Sequence, residues 1–308
     1  MASVTLAESA KLSQDQLVRG VLESIITTNY FYNLLPFAPV EGNALVYNRE
    51  NALGDAQYLG VGGTITAKSA PTYTQVTSTL TTLIGDSTIN GLIQATRSNF
   101  LDQQAAGVMS KAKTIGRMYQ QSMITGAGAS NEITGLLGLV TAGQTLTATN
   151  AAGDALSLEK LDALLDLVKD KDGQVDYLMM NSRTLRSYYS LLRALGGATI
   201  SEVVTLPDGS QVPAYRSIPI FRNDYIPTNL DSPNAAVHTC TAVIAGTIDD
   251  GSHKYGISGL TAANSSGIVV QDVGLLESAD EFLTRIKFYC GLANFNTLGL
   301  AVATGITN

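Results

Sequence analysis

Between Val40 and Leu83 the chain turns rich in Gly, Thr and Ala. Apolar and polar residues alternate around Ala44 and Val46 and again from Thr72 to Leu80, with Gly60, Gly62 and Gly63 between the two halves. Alternation interrupted by a glycine cluster predicts a long two-stranded excursion, a β-hairpin that reaches away from the body. A hairpin alone is marginal in water, so one of roughly 40 residues has to lean on a neighbour, in the same chain or in another. That demand narrows the possible folds of these 308 residues more than any other feature.

The flanking segments are helical in pattern. Ser13 and Gln16 have the spacing of a capping box, and Leu17, Val21, Ile25 and Ile26 follow as an apolar stripe that ends at Asn29, Tyr30, Phe31 and Tyr32 before Pro36. Residues 1–38 therefore read as an arm with one helix that needs a surface to lie against. After the hairpin, Leu101, Ala105, Val108, Ala112, Ile115 and Tyr119 recur at steps of four and three. They predict a helix from about Thr88 to Met123, weakened at Gly107 and Gly116 and stopped by Gly126-Ala127-Gly128.

A mixed region follows. Ser157 opens a helix with Leu158, Leu161, Leu164, Leu165 and Val168 facing inward, and Lys169 and Lys171 near its negative end. Val175–Met180 reads as a buried strand, and Ser182 as the cap of a second helix carrying Leu185, Tyr188, Leu192 and Leu195 up to Gly196-Gly197. Strands then dominate: Glu202–Leu206, a Pro207-Asp208-Gly209 turn and Gln211–Tyr215. Cys240–Gly246 and His253–Ile257 bracket an expected hairpin at Asp249-Asp250-Gly251. From Phe282 to Asn296 the alternation is clean, with Phe282, Ile286, Phe288 and Cys290 on one side and Arg285, Lys287 and Tyr289 on the other. The fold class is α+β.

The inventory for chemistry is thin. His238 and Cys240 share a strand face, but two ligands do not close a metal site, and no further Cys or His stands at ligand spacing. Asp249 and Asp250 read as turn residues before they read as cation ligands. Asp170-Lys171-Asp172-Gly173 starts like a calcium loop, yet no glutamate follows at the twelfth position. Gly126-Ala127-Gly128 follows a helix where a dinucleotide loop follows a strand, and neither a phosphate-cradling loop nor a nucleophile elbow occurs. The expectation is a protein that is not an enzyme and uses no cofactor or metal.

Bulk properties agree. Charged residues make up only 15%, below the usual quarter, as fits a surface largely covered by partners. The net charge of −7 argues against a protein that grips nucleic acid through a basic face. Cys240 and Cys290 sit in apolar strands and read as buried free thiols. No apolar run is long enough to cross a membrane as a helix, and MASVTLAESAKL has no signal-peptide pattern, so synthesis in a cytoplasm is expected.

The order of parts resembles the major capsid proteins of tailed bacteriophages with the HK97 fold. The segments that carry the likeness are LLPFAPVEGNALVYNRE (Leu34–Glu50), SMITGAG, NEITGLLGL (Asn131–Leu139), LMMNSRTLRSYYSLLRALGG, YRSIPIFRNDYIP (Tyr215–Pro227) and the closing VQDVGLLESADEFLTRIKFYCGLANFNTLGLAVATGIT. The resemblance implies an N-terminal arm (1–38), an extended loop (39–86), a peripheral domain with a spine helix (87–144) and an axial domain (145–268). The peripheral return strands (269–296) and a C-terminal strand (297–308) complete it. It further implies self-assembly into hexamers and pentamers of an icosahedral virion shell, made in the host bacterial cytoplasm, that encloses double-stranded DNA without specific binding. Separate scaffolding, portal and decoration proteins are the expected partners, and no membrane. Some members of the family crosslink a loop lysine to a neighbour's asparagine; Lys68, Asn294 and Asn296 are the candidates here. The alternatives are an encapsulin-like nanocompartment shell, or another phage structural protein.

Overall fold

The computed structural model describes residues 31, 34–92, 95, 103–169, 173–194, 202–207, 209–232, 235–265 and 267–307. The expected arm helix over Ser13–Ile26 lies outside the described residues, as do the stop at Gly196-Gly197 and the loop 170–172. Phe31 and Leu35 are buried, and the first strand, β1 (Phe37–Val40), follows directly.

β2 (Ala44–Ala52) and β3 (Thr72–Thr79) pair antiparallel as a separate two-stranded ribbon, as the alternation predicts. The ribbon is shorter than expected. Residues 53–71 form no ladder, and after Leu80 the chain leaves the excursion as β4 (Thr81–Asn90). β4 runs through the expected helix start at Thr88; helix is assigned from Gly91 on, and the long helix, α1, is described over Gln103–Thr125. The reason is a ten-pair antiparallel ladder from Asn90↔Glu281 to Thr81↔Cys290, which outweighs local helix preference over 88–90. Val108, Ala112, Ile115, Tyr119 and Met123 are the buried stripe of α1, and the helix stops at Gly126 as predicted. A Cβ at Gly126 would meet the Ile133 and Ser122 carbonyl oxygens at 2.1 and 2.4 Å, so only glycine passes there.

A single turn, Leu136–Leu139, leads through β5 (Thr145–Leu146) to α2 (Leu158–Lys169), whose Ser157 Oγ accepts the Lys160 N–H at 3.2 Å. β6 (Tyr177–Met180) and α3 (Ser182–Ala194) follow. The cap of α3 is Asn181, not Ser182: its Oδ1 accepts the Thr184 N–H at 2.8 Å, while the Ser182 hydroxyl turns away to Asp224. β7 (Glu202–Thr205), β8 (Gln211–Tyr215), β9 (Ile218–Arg222), β10 (Leu230–Ser232) and β11 (Ala235–Gly246) complete the middle of the chain.

β12 (Ile257–Ala262), β13 (Ile268–Leu275), β14 (Glu281–Asn294) and β15 (Leu300–Ile306) close it. The expected hairpin at Asp249-Asp250-Gly251 does not form. β11 and β12 belong to different sheets, and Ile248 bridges Ile257 in parallel. Asp-Gly is a hairpin signal only when the ladder continues; here the Asp249 carboxylate accepts the His253 N–H at 3.0 Å and closes a loop instead.

Two sheets carry the fold. The eight-stranded one has the order β5-β15-β11-β6-β9-β8-β7, with β10 beside β11. Both its faces are covered. Val243 and Ala245 of β11 pack with Leu161, Leu164, Leu165 and Val168 of α2, while the alternate Ala242 and Ile244 join the cluster that holds the α1 stripe. In the five-stranded sheet β14 is central: its first half lies between β13 and β4, and its second half pairs with β12, which β1 flanks in parallel. Ile286 and Phe288 face α1 as predicted, and the Phe288 ring meets Tyr119 edge-on at 5.1 Å between centroids. Phe282, near the start of the strand opposite Ile89 and Leu275, is only half-buried. Both cysteines are buried and free.

Candidate assembly surfaces

The hairpin root is clamped by side chains. The alternation of β2 places Tyr47 and Arg49 on one face, toward the end of β14. The Tyr47 hydroxyl donates to the Asn294 carbonyl at 2.8 Å, and Arg49 donates to the carbonyls of Asn294 at 2.5 Å and Phe295 at 3.2 Å. Tyr47 also meets the Phe295 ring edge-on at 5.1 Å, above a small cluster of Ala38, Val40, Leu260 and Ala293.

Beyond the ladder, the tip is organised by one amide. Gln57 Oε1 accepts the N–H groups of Thr66 at 2.9 Å and Ala67 at 2.8 Å, and its Nε2 donates to the Thr64 carbonyl at 3.0 Å. Asp55 accepts the Ser69 N–H at 2.5 Å. These contacts replace strand hydrogen bonds across residues 53–71 and hold large apolar side chains outward. Tyr58 and Val61 are fully exposed, and Leu53 is 78% exposed. The tip therefore displays apolar groups to solvent, the kind of surface that suits a contact with another chain.

Around the sheet of β14, Arg285 makes a two-pronged ion pair with Asp86, both bonds 2.8 Å, which holds the Asp86 carboxyl below its usual range. Lys287 donates to Gln271 at 2.9 Å. Arg285, Lys287 and Tyr289 therefore lie on the face away from α1, as the alternation predicts.

The crosslink candidates are widely different in setting. Lys68 is exposed on the descending limb of the tip. Asn294 is buried, 2% exposed, with no hydrogen-bond partner at Oδ1. Asn296 Oδ1 accepts the Leu298 N–H at 3.0 Å and caps a short 3-10 turn.

The sites weighed for metal lie only partly among the described residues. The Cys240 thiol lies 3.9 Å from the Ala152 carbonyl, and the His238 side chain is outside the described residues. Asp249 faces His253 Nδ1 at 2.8 Å; Asp250 accepts from the Ser252 N–H and the Tyr255 hydroxyl, each at 2.8 Å. Among the described residues no cluster of three His, Cys, Asp or Glu could hold a metal ion. No helix there is long and apolar enough to cross a membrane.

A groove of about 1000 Å³ lies between α1 and α3 over β8 and β9, lined by Arg117, Gln120, Tyr189, Phe221, Asn223 and Tyr225 among others. Sequence reading missed it, because the two helices that form it are separated by more than fifty positions and neither shows a motif.

No protein-family model and no curated protein matches the sequence. Solved structures do match. The holo encapsulin complex of Synechococcus elongatus superposes with a TM-score of 0.67 at 20% identity, covering 90% of this chain and 87% of that one. The capsid of a native GTA particle gives 0.64 at 13% identity, over 89% of each. A chain from Mycobacterium phage Adephagia gives 0.57 at 15% identity, over 100% of this chain and 99% of that one. These likenesses define the class of structure: an α+β chain with the HK97-like fold found in encapsulin and phage capsids.

Proposed function

We propose that this chain is a shell subunit, a major capsid protein that builds hexamers and pentamers of an icosahedral particle around double-stranded DNA. In this reading α1 is the spine helix, the β2–β3 ribbon is the extended loop, residues 1–38 are the arm, 145–268 the axial domain, and 87–144 with 269–296 the peripheral domain. The observation that carries it is the clamped ribbon with its apolar tip. Tyr58 and Val61 are displayed at the end of a ribbon fixed at its root by Tyr47 and Arg49, a geometry that suits a neighbouring copy. Many such contacts add avidity, and closure follows from symmetry.

An encapsulin-like shell around protein cargo is the second reading, supported by the TM-score of 0.67 to an encapsulin against 0.57 to 0.62 for the phage chains. Electron microscopy of the purified protein tests the shared claim: closed polyhedral particles are expected, and a monomer at high concentration refutes it. Nuclease-protected DNA in particles made in the presence of the remaining phage proteins separates the first reading from the second, in which a packaged protein replaces it.

A further inference from the structure

The charge of this acidic chain is unevenly placed. α1 and α3 together hold six of its 19 cationic residues and none of its 26 acidic ones. Lys113 and Arg117 stand one helical turn apart on the exposed side of α1, and Arg117 reaches the groove. On α3, Arg186, Tyr189 and Arg193 follow at steps of three and four, with Tyr189 in the groove and both arginines exposed. Among the described residues neither Lys113, Arg117, Arg186 nor Arg193 is in an ion pair. The one carboxylate lining the groove, Asp224, is already bound to Arg222 and to Ser182.

A second observation sits at the groove wall. Asn223 is 1% exposed; its Oδ1 accepts the Tyr225 N–H at 3.0 Å, which fixes the amide, and its Nδ2 is buried with no partner. A donor without a partner in the wall of a groove whose flanking helices carry only cationic charge suits an anionic oxygen. Tyr189 and Tyr225 add flat, partly buried rings to the same lining.

We infer that the groove between α1 and α3, with Arg117 in its lining and Lys113, Arg186 and Arg193 exposed on the helices that flank it, binds the phosphate backbone of a nucleic acid. The inference rests on the shell reading and adds to it the face that meets the packaged strand. It also changes what the net charge implies: contact with phosphate depends on the local charge, and α1 and α3 carry only cationic charge while the whole molecule is negative.

The test uses the full-length subunit and a fluorescent 30-base-pair duplex, titrated across salt concentration. Four phosphate contacts give a slope of log affinity against log salt of about −3.6. The Lys113→Gln/Arg117→Gln/Arg186→Gln/Arg193→Gln variant is expected to lose most of that slope and at least tenfold in affinity at 100 mM salt. A control, Lys169→Gln/Lys254→Gln, removes charge elsewhere and is expected to bind as the parent does. Equal weakening in the control, or a salt slope unchanged in the groove variant, overturns the inference. So does tighter binding of an oligoglutamate peptide of matched charge, which assigns the groove to an acidic protein segment. Particle formation by the same preparations reads the shell proposal separately: shells that form without binding the duplex leave that proposal standing and remove this one.

Discussion

Phe288 shows how much one side chain decides. It is 5% exposed and meets Tyr119 of the long helix edge-on, so its ring joins the central strand to α1. Phe288→Ala is expected to cost about 3–5 kcal/mol in thermal or denaturant unfolding, and Phe288→Asp, which buries a charge with no partner, to abolish soluble folding. Tyr215 carries a pH dependence. Burial, with the carboxylate of Asp162 accepting its hydroxyl, pushes its phenol up to about 12. An acid with a folded pKa above its unfolded value of about 10 stabilises the fold below pH 10, and that contribution is lost as pH rises toward 12. Unfolding midpoints measured from pH 9 to 12 are expected to fall less steeply in Tyr215→Phe than in the parent. The Cys290 thiol, pushed up to about 12 by burial, is expected to resist alkylation until the protein is unfolded, as mass spectrometry of iodoacetamide-treated samples will show.

At the scale of elements, periodicity was legible wherever one face is buried against one neighbour. The stripe Leu161, Leu164, Leu165 and Val168 of α2, and the alternation Ile286, Phe288, Cys290 of β14, stand where the pattern puts them, because a single burial gradient acts on each. Patterns failed where a long-range partner or a side chain competes with the backbone. Thr88–Asn90 reads as helix locally and is strand because Glu281–Leu283 pairs with it. Asp249-Asp250-Gly251 reads as a hairpin and is a loop because carboxylates take the N–H groups a ladder needs. The ribbon offers a direct test. Ala52 and Thr72 are paired, so residues 53–71 can be replaced by Asn-Gly without disturbing the register. The shortened protein is expected to fold, with unchanged circular dichroism, and to fail in assembly when followed by sedimentation; normal particles refute the role given to the tip.

For the whole molecule, the α+β class and the succession of ribbon, long helix, mixed helix–strand lobe and closing strands could be read from the sequence, since they follow from which segments alternate and which repeat near every 3.6 residues. The candidate surfaces could not. The clamp joins Tyr47 and Arg49 to Asn294, and the groove joins Arg117 to Tyr189, across separations that no local pattern encodes. The same holds for covalent linkage: Lys68 can meet Asn294 or Asn296 of another copy only through a docking geometry set by assembly. Denaturing electrophoresis of particles is decisive there, with a ladder of multimers if the bond forms and one monomer band if it does not.

The amide of Gln57 has an effect that reaches past the chain it belongs to. Because it ties Thr64, Thr66 and Ala67 within one subunit, the hairpin end is preorganised before any neighbour arrives, and little ordering entropy remains to be lost on docking. In a shell of the kind proposed, each such contact would be stronger than the same area contributed by a floppy loop, because less freedom is lost when it docks.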